Sequence, residues 1–158
     1  MVNVFRMFGM MGPERIAVGG ARAYDAAAIR AGGVRGAATD IDALASKGNR
    51  SVTVMVWNYH DDDVQDRGSP VELVVAGVPA ERATVTHYRV DEQHGNSYAE
   101  WKRLGSPAKP DAAQVAALDR ASRLATLGAP RQVAVSGQKV VVKMQLPRQA
   151  VSLVKIDY

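Results

Sequence analysis

The ten residues from Ser51 to His60, SVTVMVWNYH, constrain the fold of this chain more than any other stretch. Side chains of an extended backbone leave alternately to opposite faces, so Val52, Val54 and Val56 share one face while Thr53, Met55, Trp57 and Tyr59 share the other. Both faces are largely apolar, and such a strand needs cover on each side, which predicts a central rather than an edge position. Val71 to Ala76, Ala83 to Asp91, Gln132 to Ser136, Lys139 to Leu146 and Gln149 to Asp157 are further strand segments, rich in Val or Thr and bounded by Gly, Pro or Ser. In Lys139 to Leu146 the pattern sends Val140, Val142, Met144 and Leu146 inward, and Ser136 with Gly137 predicts a hairpin turn from the strand before. The spacing predicts a mainly β chain, an antiparallel β-sandwich of the immunoglobulin or fibronectin kind.

Two segments depart from this pattern. Asp111 follows Pro110, Gln114 lies three residues on, and Val115, Leu118, Ala121, Ser122 and Ala125 recur at helical spacing, which predicts a capped helix of about 14 residues stopped by Gly128 and Pro130. Its alanine-rich face suits close packing against a larger body. At the N-terminus, VNVFRMFGMM places Val4, Met7, Phe8 and Met11 on one side of a short amphipathic helix ahead of Gly12 and Pro13. A sandwich offers that helix no evident role, so its apolar groups are expected to pack against a partner outside this chain.

The composition removes several classes of function. With 47% hydrophobic and 23% charged residues among 158, the chain can bury one ordinary core and is not expected to be disordered. The 20 basic and 16 acidic residues leave a net charge of +4, but the cations are scattered from Arg6 to Lys155, without the stripe that nucleic-acid binding calls for. The absence of cysteine removes disulfides, thiolate metal sites and a cysteine nucleophile. No signal peptide is visible and no apolar run approaches the ~20 residues needed to span a bilayer, so a soluble, cytoplasmic protein is expected, with no membrane partner.

Four stretches carry a resemblance. The block from Asp91 to Leu127, DEQHGNSYAEWKRLGSPAKPDAAQVAALDRASRLATL, resembles one found in glycoside hydrolase family 39, which includes β-xylosidases and α-L-iduronidases. NVFRMFGMMG resembles the last barrel helix and exit of those xylosidases, VMVWNYHDDDV their central sandwich strand and its loop, and LPRQAVSLVKID their last strand, all in the same order. The resemblance implies a division into residues 1–12, left from the final helix of a (β/α)8 barrel, and 13–158, an accessory β-sandwich with a helical insertion over 95–128. Retaining glycosidases work with two carboxyl groups about 5 Å apart across the scissile bond. The family's pair of glutamates lies on barrel strands upstream of the NVFRMFG motif, so the resemblance assigns no catalytic residue to this chain. It implies a non-catalytic accessory domain of a retaining β-xylosidase acting on xylo-oligosaccharides, with the barrel as the missing partner, and an independent carbohydrate-binding module is the alternative. Some family sandwiches look as though they borrow a strand from before the barrel, which would leave an unpaired edge here and favour a homo-oligomer.

Few residues suggest chemistry of their own. Asp61, Asp62, Asp63 and Asp66 cluster in a loop that could offer oxygen ligands to a hard cation, yet their spacing matches no calcium loop and a solvated acidic turn is expected. Asp91, Glu92 and His94 resemble an acid–base cluster, but neighbouring side chains at a strand end point apart, and these residues are expected to cap or position the following loop. His60, His87 and His94 show no zinc spacing, no G-x-S-x-G elbow is present, and Gly19, Gly20, Gly32 and Gly33 form no phosphate-binding pattern, so neither metal nor cofactor is implied. His94, Asn96, Tyr98 and Trp101 combine polar tips with aromatic faces, the surface that stacks on sugar rings, and are the candidate substrate-pocket residues. For Trp101 the favoured alternative is packing of the helical excursion onto the sandwich.

Overall fold

A computed structural model describes residues 2–20, 23–62 and 68–158. Among them are eight strands and four helices: α1 (Val2–Gly9), β1 (Glu14–Ile16), α2 (Ala26–Gly32), β2 (Asp40–Gly48), β3 (Ser51–Tyr59), β4 (Ser69–Ala76), β5 (Arg82–Val90), α3 (Ser97–Arg103), α4 (Ala112–Ala121), β6 (Arg131–Ala134), β7 (Lys139–Leu146) and β8 (Val151–Asp157). The strands form an antiparallel six-stranded sheet in the order β1-β2-β3-β8-β5-β6, faced by a two-stranded sheet of β4 and β7. The expected β-sandwich is therefore present, with unequal layers.

β3 is central, as its two apolar faces require. Val54 lies opposite Ala45 of β2 on one side and Val154 of β8 on the other. Val52 and Val54 meet Val154, Ile156, Ala83 and Val85 of the same sheet and Val75, Val140 and Val142 of the smaller one, making the main core. Val140, Val142 and Leu146 are buried, as the alternation in β7 predicts, and Met144 is half-buried. Burying a side chain of this size stabilises the fold by roughly 1.5–3 kcal/mol each.

The opposite face of β3 changes the reading of the N-terminal helix. Met55 and Trp57 point away from the sandwich, and α1 lies over them, with Met7 fully buried between Met55 and Leu153 and flanked by Tyr88, Val90 and Leu124. The helix thus has a role within this chain: it is a third layer sealing the outer face. Asn3 locks it in place, its Nδ2 donating to the carbonyls of Gly95 at 2.8 Å and Ser122 at 2.9 Å. The buried face carries Asn3, Val4, Met7, Met10 and Met11, whereas Phe8, expected inward, is 48% exposed beside the still more exposed Val2 and Phe5.

Two other expectations need correction. The predicted hairpin closes at Ser136 and Lys139, which exchange two 3.0 Å backbone bonds across Gly137 and Gln138, both at positive φ. Beyond that turn the strands part: β6 pairs with β5, and β7 crosses to pair with β4 because its inward valines are what fills the second layer. The predicted long helix has its capping box of Asp111 and Gln114 but ends at Ala121, after 10 residues. Ser122 caps Leu118 and Asp119, and Leu127 N donates to His87 O, drawing the chain back to the sheet. No residue of α4 is fully buried and Val115 is 53% exposed, so its alanine face is not tightly packed within this chain. β1, β2, α2 and α3 were not expected as separate elements.

Replacing Met7 by Ala should lower unfolding stability by about 2–5 kcal/mol, measured as a fall in the urea midpoint at unchanged slope, because the outer layer loses its central side chain. His87 supplies a pH prediction. Burial, then the charges of Arg89, Arg131 and His94, push its pKa from 6.5 down to about 4. The unfolded chain therefore binds the extra proton first, so this contribution to stability is intact above pH 6.5 and is lost as pH falls towards about 4. His87→Gln should flatten the urea midpoint against pH over that window relative to the parent chain; parallel curves would refute the assignment.

Candidate functional site

The alternation that buries Ala83 and Val85 continues along β5 and sends His87, Arg89 and Asp91 to the same inner face. In register, Arg89 lies beside Ser152 of β8, and Ser152 beside Val56 of β3. The apolar core thus gives way to a polar end. His87 Nε2 is 2.9 Å from Ser152 Oγ, which also accepts from Arg89 Nε at 3.0 Å, and Arg89 Nη2 donates to Gln145 O at 2.9 Å. Arg89 is only 7% exposed, and burial draws its pKa down while the Asp91 charge opposes that shift. The closest approach of the two is long, 4.0 Å from Arg89 Nε to Asp91 Oδ2.

Asp91 organises the loop that follows. Its Oδ1 accepts from Gln93 N and His94 N, each at 2.8 Å, and lies 2.7 Å from His94 Nδ1. Glu92 is exposed while Asp91 is buried, so the pair does not present two equivalent carboxyls. Asn96 works in both directions: Nδ2 donates to Asp91 O at 3.1 Å, and Oδ1 caps α3 by accepting from Tyr98 N at 3.1 Å and Ala99 N at 3.2 Å. Gly95, at φ +61°, is required here, since a Cβ would come within 2.8 Å of Asn3 Nδ2.

The cap sets Tyr98 outward, 62% exposed, with its ring stacked on Trp101 at 5.7 Å and Lys102 Nζ 5.0 Å from its centre. Trp101 Nε1 donates to Pro107 O at 3.1 Å, which holds the turn between α3 and α4. His94, Asn96 and Tyr98 border an open cleft of about 600 Å3 whose far wall is the β7–β8 connection, Pro147 to Gln149. Three of the four residues singled out in the sequence therefore converge, and Trp101 supports Tyr98 without lining the cleft. Arg89 at the floor and Lys102 at the rim had not been singled out. The signal for Arg89 was available: a charged residue in the inward register of a strand.

Asp61 and Asp62, the described acidic residues after β3, serve structure. Asp61 accepts from Val34 N at 2.7 Å and from the Tyr59 hydroxyl at 2.6 Å, and the Tyr59 bond, then the Val34 bond, hold its pKa below the usual range. Asp62 pairs with Arg35 and accepts from Gly36 N. Both pin the link between α2 and β2; Asp63 and Asp66 lie outside the described residues. No helix among the described residues is long and apolar enough to cross a membrane.

The same architecture occurs in solved structures. The GH39 enzyme from Xanthomonas axonopodis pv. citri superposes with a TM-score of 0.66 at 17% identity, over 73% of this chain and 25% of that one. A monomeric β-xylosidase from Caulobacter crescentus CB15 gives 0.63 at 17% identity, over 73% and 26%, and a bacterial orthologue of human α-L-iduronidase gives 0.62 at 22%, over 75% and 22%. At these identities the similarity is one of fold, and this chain spans about a quarter of each of those proteins. None of the curated proteins matches it. The family model of the glycosyl hydrolases family 39 matches residues 3–140, from α1 through the start of β7, and the chain belongs to that family.

Proposed function

We propose that this chain is the non-catalytic accessory domain of a retaining β-xylosidase, bracing a (β/α)8 barrel and bordering the entrance to its sugar pocket. The observation that carries this reading is the outward face of α1. Val2, Phe5 and Phe8 are 65%, 71% and 48% exposed on a helix whose other face already seals the sheet. Such a row of large apolar groups on a two-sided helix suits a joint between two bodies. Residues 1–12 then form the joint, and 13–158, with the insertion over 95–128, form the appended domain. Among the described residues β4 and β7 pair only with each other, so their outer edges remain open, and self-association through them belongs to the same reading.

A carbohydrate-binding module is the second reading, favoured by the exposed Tyr98 ring and its stack on Trp101. The two separate experimentally. In the accessory reading, the purified chain releases no xylose from a model xyloside, and Phe5→Ser with Phe8→Ser leaves its own stability within about 0.5 kcal/mol per site. The same double variant abolishes co-purification with the parent barrel supplied as a second chain. Unchanged co-purification, or hydrolysis by the chain alone, would refute the proposal. A rise in Trp fluorescence affinity for xylo-oligosaccharides that ignores the barrel would favour the module.

A further inference from the structure

We propose that the excursion carrying α3 and α4 is a hinged flap, and that Asn3 of α1 is the clasp that holds it shut and so sets the width of the cleft beside α3. The inference concerns this chain alone and stands whatever the cleft receives. The excursion leaves the sheet at the end of β5 and returns where Leu127 N donates to His87 O at 2.6 Å. Gly95 and Gly128, at φ +61° and +84°, turn the backbone at its two stems. Between them no residue of α3 or α4 is fully buried, and Tyr98 and Val115 are 62% and 53% exposed. Side chains of the excursion bond to one another: Trp101 Nε1 donates to Pro107 O, Arg103 pairs with Glu100 and Arg123 with Asp119. A segment that buries so little against the body lies at the low end of local stability and opens as a unit.

One buried side chain joins the two stems. Asn3 is 4% exposed, and its Nδ2 donates to Gly95 O on the outgoing stem at 2.8 Å and to Ser122 O on the returning stem at 2.9 Å. Arg6 Nη1 donates to Asn3 Oδ1 at 2.8 Å, which fixes the amide so that both N–H groups face the stems. A Cβ on Gly95 would lie 2.8 Å from Asn3 Nδ2 and 3.6 Å from Arg123 O, so clasp and stems meet at one point. Asn96, Tyr98, Ala99 and Lys102 form the cleft wall that faces Pro147 to Gln149, and opening at the clasp carries that wall away from the β7–β8 connection. Val2, Phe5 and Phe8 project from the other face of α1. A body that steadies the helix there also favours the closed flap, a consequence that rests on the joint proposed above.

Hydrogen exchange of the 158-residue chain, followed by mass spectrometry, tests the clasp. Helices of 7 and 10 residues do not persist alone in water, so release of the flap registers as lost protection at their amides. Asn3→Ala should speed exchange in α3 and α4 about tenfold, the size expected for losing a hydrogen bond or two, with β3 and β8 unchanged. Asn3→Asp, which keeps the side chain's shape and the Arg6 bond but has no N–H to donate, should speed it at least as much. Phe5→Ser with Phe8→Ser, on the outer face of α1, should leave α3 and α4 as protected as in the parent chain. The proposal is overturned by unchanged exchange in α3 and α4 with both Asn3 substitutions, by an equal rise in β3 and β8, or by the same acceleration from the outer-face pair.

Discussion

The structure depends on burying both faces of β3. A strand apolar on one side can sit on a core and face water on the other, but Val52, Val54 and Val56 on one side and Met55 and Trp57 on the other leave no side for water. The chain meets that demand unequally. The inner face receives a two-stranded sheet whose Val75, Val140 and Val142 close the core, and the outer face receives a single helix whose Met7 fills the space over Met55 and Leu153. The rest of the topology follows from these two covers. β7 must leave β6 to reach the second layer, and the insertion between β5 and β6 must come back to hold Asn3 and complete the helix contact.

The polar cleft is a product of the same geometry. Two strands cannot cover the whole length of a six-stranded sheet, so where β7 ends the inner register of β5 passes from Val85 to His87, Arg89 and Asp91. Side chains there are still confined by neighbouring strands, and they satisfy one another through Ser152 and the Gln145 carbonyl. Asp91 converts this strand end into a loop with a fixed shape, and Asn96 converts the loop into the start of α3. Tyr98 is thereby held at a defined place relative to Arg89 across the cleft.

Much of the fold could be read from β-branched alternation. β3, β4, β5, β7 and β8 all lie where valine-rich runs bounded by turn residues predicted them, and the Asp111–Gln114 capping box marked the start of α4. β2 could not be read in the same way, because DIDALASKG mixes acidic, small and basic residues; its nine-residue register with β3 holds it in the sheet despite weak propensity. The site was partly legible. His94, Asn96 and Tyr98 were visible as polar and aromatic groups close in sequence, whereas Arg89 and the Pro147–Gln149 wall come from separate strands that only the sheet brings together.

What the sequence by itself determined is the character of the layers: a central strand with two apolar faces, inward valines at alternate positions of β7, and a motif order that belongs to glycosyl hydrolases family 39. These are local properties, set by side-chain period and by residue identity. Only the tertiary structure decided that β6 and β7 separate into different sheets, that Phe8 turns outward while Asn3 turns in, and that Arg89 forms the floor of a cleft. Each of those outcomes is a choice between partners distant in the chain, settled by which pairing buries the most apolar surface and leaves the fewest polar groups unbonded, and no single segment contains that comparison.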